Sequence, residues 1–67
     1  MKKLSALDVC WKLHDGDSVY IEKPGDDGYW ATVDHIYAWM DMIYLVLKSG
    51  ESLDLDYYDK KWTASTN

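Results

Sequence analysis

The chain has 67 residues, and its twelve acidic and seven basic side chains give a formal charge of -5. That length allows one domain, residues 1-67. The charge, with every basic residue a lysine, argues against general binding to a phosphate backbone, which needs clustered Lys and Arg. The lone cysteine, Cys10, excludes an internal disulfide, and no segment approaches the ~20 apolar residues that span a bilayer.

The opening MKKLSALDVCWKL carries two lysines but lacks a long apolar run and a small-residue cleavage signal, so the expected location is intracellular, in the cytoplasm. Residues 4-14 predict a short helix. Ser5 can cap its start with Asp8 as the reciprocal partner, and Leu4, Leu7, Cys10 or Trp11, and Leu13 or His14 fit an apolar stripe. Cys10 is expected as a buried thiol, and Gly16 as a stop signal. A small barrel is then expected over about residues 17-63. SVYIEK, residues 18-23, alternates with Val19 and Ile21 on one face, and PGDDG, residues 24-28, is a turn. YWATVDHIY, residues 29-37, reads as the longest strand. Ile36 is out of phase with Ala31 and Val33, which predicts a bulge or bend near Asp34 and His35. Residues 38-42, AWMDM, are a hairpin tip or a continuation of the strand.

IYLVLK, residues 43-48, puts Ile43, Leu45 and Leu47 on one face and Tyr44, Val46 and Lys48 on the other. Ser49-Gly50-Glu51 is a second tight turn. Leu53 and Leu55 then alternate with Asp54 and Asp56 in a fourth strand. Tyr57-Tyr58-Asp59 predicts a 3₁₀ turn, Lys60 to Thr63 a fifth short strand with Trp62 inward, and the last four residues are expected to fray. The fold class is mostly β: four or five antiparallel strands curled into a small barrel, with a short N-terminal helix.

GDSVYIEKPGDDGYWATVDHI, from Gly16 to Ile36, and YLVLKSGESLDLDYY, from Tyr44 to Tyr58, resemble the strands of Tudor-like and other SH3-like small barrels. The resemblance implies a binding module. Many Tudor domains hold methylated Lys or Arg in an aromatic cage, where a cation is attracted to ring faces. Tyr29 falls at a cage position, whereas Lys23, Leu47 and Ser49 stand where further cage aromatics are expected and Glu51 where Asn is common. The resemblance therefore implies the fold without the cage.

Ten aromatics, four Trp and six Tyr with no Phe, are more than so small a core can hide. Some are expected at the surface, where aromatics favour binding. Tyr37, Trp39, Met40 and Met42 cluster near a predicted loop, with Trp39 as anchor and the methionines as adaptable fillers. The alternative is that Trp39 folds back to close the barrel end. Tyr29, Trp30 and Tyr44 are further candidates. With Tyr20 they could stack on single-stranded nucleic acid, which the charge argues against. Asp26, Asp27, Glu51, Asp54, Asp56 and Asp59 are expected to form an acidic face. Such a face could meet a basic, nucleic-acid-binding enzyme as an inhibitor does, and compact acidic proteins of this size occur among viral (phage) counter-defence proteins; the plainer reading is a solvated surface. No metal signature, nucleophile elbow or phosphate-cradling loop is present. The expected function is therefore protein binding with no cofactor and no catalysis, and a homodimer is compatible with it.

Overall fold

The structure is a computed structural model that describes all 67 residues. Strand β1 (Lys2–Lys3) leads into helix α1 (Ala6–Lys12), followed by β2 (Ser18–Glu22), β3 (Tyr29–Trp39), β4 (Met42–Leu47) and β5 (Ser52–Asp54). A 3₁₀ turn (Leu55–Tyr57) then leads to β6 (Thr63–Thr66). The six strands form one sheet in the order β1-β6-β2-β3-β4-β5, and each paired neighbour is antiparallel.

β2, β4 and β5 alternate, and the apolar residues of all five strands from β2 to β6 feed one cluster. Val19 and Ile21 of β2, Val33 of β3, Leu45 and Leu47 of β4, Leu53 of β5 and Ala64 of β6 meet Leu4, Val9, Leu13, Tyr58 and Trp62 there. Alternation has this effect because successive strand side chains point to opposite faces. Val33 opposes Leu47 but His35 opposes Val46, so the ladder slips by one residue at Asp34. That is the bulge expected from the phase of Ile36, and it returns Ile36 to the core side.

Helix α1 is shorter than the predicted stretch. The Ser5 hydroxyl accepts from the Asp8 amide at 3.1 Å, so the N-cap forms. The Asp8 carboxylate turns instead to Lys12, 3.5 Å away. The helix ends at a Leu13 cap, ahead of the Gly16 turn. Its buried side is Val9, with Leu4 and Leu13 beyond its ends, whereas Leu7 and Trp11 face solvent. The predicted stripe thus selected the wrong side for Leu7 and Trp11. Two i,i+4 apolar pairs, Leu7/Trp11 and Val9/Leu13, lie on different faces of this short helix, and only one of them can meet the core.

The C-terminal third differs more. β5 stops at Asp54, so Leu55 and Asp56 belong to the 3₁₀ turn rather than to a strand, two residues earlier than predicted. The Asp54 side chain causes this by accepting from the Asp56 amide at 2.9 Å, a local cap that competes with the ladder. The four residues expected to fray are mostly β6. Ala64 is fully buried and Ser65 nearly so, and β6 is held between β1 and β2.

Trp62 is inward as predicted, and its indole N–H donates to the Asp54 carbonyl at 2.8 Å. It packs edge-on against Tyr58, with ring centroids 4.8 Å apart. The Tyr58 hydroxyl sits at the end of the β1–β6 ladder, one step past the Lys3 and Ser65 pair. Leu4 N–H donates to Ala64 O at 2.9 Å. The return bond is replaced by the phenol, which donates to Leu4 O at 2.5 Å and accepts from Ala64 N–H at 3.1 Å. Burial raises the Tyr58 pKa, so the proton stays on the oxygen that must donate it.

Candidate interaction surface

β3 and β4 form a hairpin closed by Trp39 opposite Met42, which leaves Met40 and Asp41 as a two-residue loop. Both readings of residues 38-42 thus contain part of the answer: the strand runs on to Trp39 and then turns. Met40 has φ 56°, a conformation that glycine or asparagine usually supplies in such loops. No glycine marks the turn, and an 82 % exposed methionine stands at its tip.

The register places Tyr37 opposite Tyr44 and Trp39 opposite Met42, on the sheet face away from the core. Their contacts run along that face. His35 meets Tyr37 edge-on at 6.3 Å between centroids, Tyr37 lies 6.5 Å from Tyr44, and the Tyr44 hydroxyl donates to the Met42 sulfur at 2.9 Å. Trp39 is 55 % exposed, Tyr37 and Met42 are exposed, and Tyr44 is half-buried. Trp39 therefore does not fold back into the core. Even on the core-facing side the hairpin tip overhangs the cluster, because Ala38 and Ile43 are exposed.

Tyr29 and Trp30 lie at the other end of β3 and do not join this surface. Trp30 opposes Tyr20, and the two rings pack edge-to-face at 5.4 Å. Gly28 makes room for that pair, since a Cβ there would come within 2.3 Å of the Tyr20 ring. Tyr29 donates its hydroxyl to the Glu51 carboxylate, which also forms an ion pair with Lys23. The Lys23 ammonium stands 5.6 Å from the Tyr29 ring centroid. Lys23 first, and Tyr29 after it, hold the Glu51 carboxyl below its ordinary pKa, while Glu51 raises that of Lys23.

The six acidic candidates divide in two. Glu51 is occupied by Lys23 and Tyr29, Asp54 caps the 3₁₀ turn, and Asp59 forms an ion pair with Lys3. Asp26 and Asp27 in the β2–β3 turn and Asp56 in the 3₁₀ turn are exposed. Asp54 and Asp56 do not share a strand face, because β5 ends between them. No three His, Cys, Asp or Glu side chains gather as they would around a metal ion. The one depression in the surface, about 200 Å³, is lined by Glu22, Lys23, Pro24, Asp59, Trp62 and Thr63. No helix is long and apolar enough to cross a membrane.

Two helix side chains placed on the apolar stripe are exposed instead. Leu7 and Trp11 stand on the outer side of α1, with Trp11 75 % exposed. The i,i+4 spacing of the pair was visible, but nothing in the sequence distinguishes it from the inward pair. Cys10, expected buried, is half-buried, and desolvation raises its pKa.

No family model matches the chain, and no curated protein or solved structure is significantly similar to it.

Proposed function

We propose that this protein is a non-enzymatic protein-interaction module that binds through the outer face of the β3–β4 hairpin. The observation that carries the reading is the contiguous exposure of Tyr37, Trp39, Met40 and Met42 on one hairpin. Singly exposed hydrophobes are ordinary on any surface, but a contiguous group marks a binding site. Tyr and Trp bury much area at low entropic cost, and Met adapts to the partner's shape. We read the fold as an SH3-like, Tudor-like small barrel. The strand order supports this, because a 3₁₀ turn carries the chain from β5 back to β6, which pairs with β2. The single cysteine supports action inside the cell.

Photo-cross-linking tests the surface. A photoreactive side chain at Trp39 is expected to capture a discrete partner, and the same group at Thr32, exposed on the same strand, is expected to capture none. Equal capture at both positions would refute the assignment.

A second reading is an acidic inhibitor of a nucleic-acid-binding enzyme, of the phage counter-defence type. The free carboxylates of Asp26, Asp27 and Asp56 and the charge of -5 favour it. Binding of that kind weakens steeply with salt, whereas binding dominated by Trp39 changes little.

A further inference from the structure

The sheet has free edge at β1, at β5 and along the distal half of β3, and the first two are guarded. β1 is two residues long and both are lysines, while β5 is three residues long and ends in Asp54. Short, charged edges resist pairing with another chain. The third is the distal half of β3. β2 parts from β3 at Thr32, and Val33 spends its amide on Asp17 O (2.8 Å) and its carbonyl on Gly16 N (2.9 Å). From Asp34 to Trp39, no strand lies on the side of β3 away from β4.

The phase of the ladder shows which backbone groups that edge presents. Lys48 N–H donates to Thr32 O on β3, whereas Leu47 N–H donates to Glu51 O on the β5 side. Alternation along β4 then aims Val46, Tyr44 and Met42 at β3. Their partners His35, Tyr37 and Trp39 spend their amides and carbonyls on β4, which leaves those of Ile36 and Ala38 pointing outward. Ile36-Tyr37-Ala38-Trp39-Met40 holds no charge and no proline, the devices that usually blunt an edge.

We propose that a second copy of this chain covers this edge by antiparallel strand pairing about Ala38. The segment is self-complementary in that register. A two-fold axis at Ala38 satisfies its amide and carbonyl reciprocally. Tyr37 of each copy comes opposite Trp39 of the other on the outer face, an aromatic cross-strand pair, and the ladder ends there because Met40 and Asp41 turn away toward β4. Each copy carries a charge of -5, and this neutral stretch lets two acidic chains meet without setting carboxylates against each other. On the core-facing side, the overhanging Ala38 meets its own copy, with Ile36 on the diagonal. The contact is one strand pair, well below a standard interface, so the dimer is weak and depends on concentration. Pairing joins the two outer faces edge to edge and leaves both open, so the inference stands apart from what those faces bind.

The test is sedimentation equilibrium of the full chain over a wide concentration range, for wild type and Ala38→Pro, with amide hydrogen exchange on the wild type. Proline removes only an outward N–H and suits an edge position. The wild-type mass is expected to rise from 7.8 kDa toward twice that value, with Ala38→Pro staying monomeric and folded. Exchange at the Ala38 amide is expected to slow about tenfold or more as concentration rises, a readout that decides the matter even if the variant does not fold. A wild type that stays monomeric with concentration-independent exchange would overturn the proposal, as would a dimer that survives Ala38→Pro. Protection that appears only when a foreign extended peptide is added would also overturn it. None of these results touches the hairpin's outer face, which partner capture at Trp39 tests separately.

Discussion

Tyr58→Phe removes one oxygen and keeps the ring that packs on Trp62. The hydroxyl is buried, and it is the group that joins Leu4 O to Ala64 N–H at the end of the β1–β6 ladder. Without it, a buried carbonyl and a buried amide lose that partner, and each costs about 1–3 kcal/mol when left unsatisfied. Some relaxation or water entry at Leu4 offsets part of this, leaving an expected loss of about 2–4 kcal/mol. At about 0.05–0.15 kcal/mol per residue, the whole domain is stabilised by only about 3–10 kcal/mol. The variant is therefore expected to lose a large share of its stability, and its Tm to fall by about 10–25 °C. Thermal unfolding followed by near-UV circular dichroism measures this. Tyr57→Phe is the control: that ring is exposed and keeps its contact with Lys61, so a change within about 0.5 kcal/mol is expected. A Tyr58→Phe variant as stable as the control would refute the ladder role of the phenol.

Gly28→Ala places a methyl group where the Tyr20 ring lies. The ring is expected to swing aside and give up its edge-to-face contact with Trp30, at a cost of about 1 kcal/mol; an unchanged near-UV spectrum would contradict this. Met40→Gly relieves a positive-φ methionine and is expected to stabilise the hairpin by about 0.5–1 kcal/mol; a lower Tm would show that the loop is unstrained. Glu51 and Asp34 have lowered pKa values, caused first by Lys23 and by Lys48 respectively. Their stabilisation is complete above the unfolded values of about 4.3 and 3.9 and is lost as pH falls through the lower folded values. Glu51→Gln is expected to flatten the acid limb of a Tm-against-pH curve, and an unaltered limb would remove Glu51 from the explanation. The raised pKa values of Lys23 and Lys48 act at the other end, where their contribution is present below about 10.4 and lost at higher pH.

Period-2 alternation made β2 and β4 legible, and the slip of Ile36 against Val33 pointed to an irregularity near Asp34 and His35, where the bulge lies. These features are local, and the sequence carries them directly. The C-terminal strand was misread because its structure depends on distant partners. Nothing in ASTN announces a central strand, and β6 exists because Ile21, Lys3 and the Tyr58 hydroxyl are there to receive it. The side of α1 that turns inward was likewise undecided between two equally spaced pairs. For the candidate surface, composition showed that some aromatics had to be exposed, and the Tyr37 to Met42 cluster was visible. Whether Trp39 pointed out or in depended on a turn without glycine, which sequence signals do not mark.

The interaction surface is tested most directly by measuring the affinity of a captured partner for wild type and for Trp39→Ala, with Tm recorded for both. The expected result is a variant that unfolds within a few degrees of wild type, because Trp39 lies outside the core, and binds at least about tenfold more weakly, as loss of a Trp anchor entails. A Trp39→Ala chain that unfolds, or one that binds as tightly as wild type, would contradict the assignment.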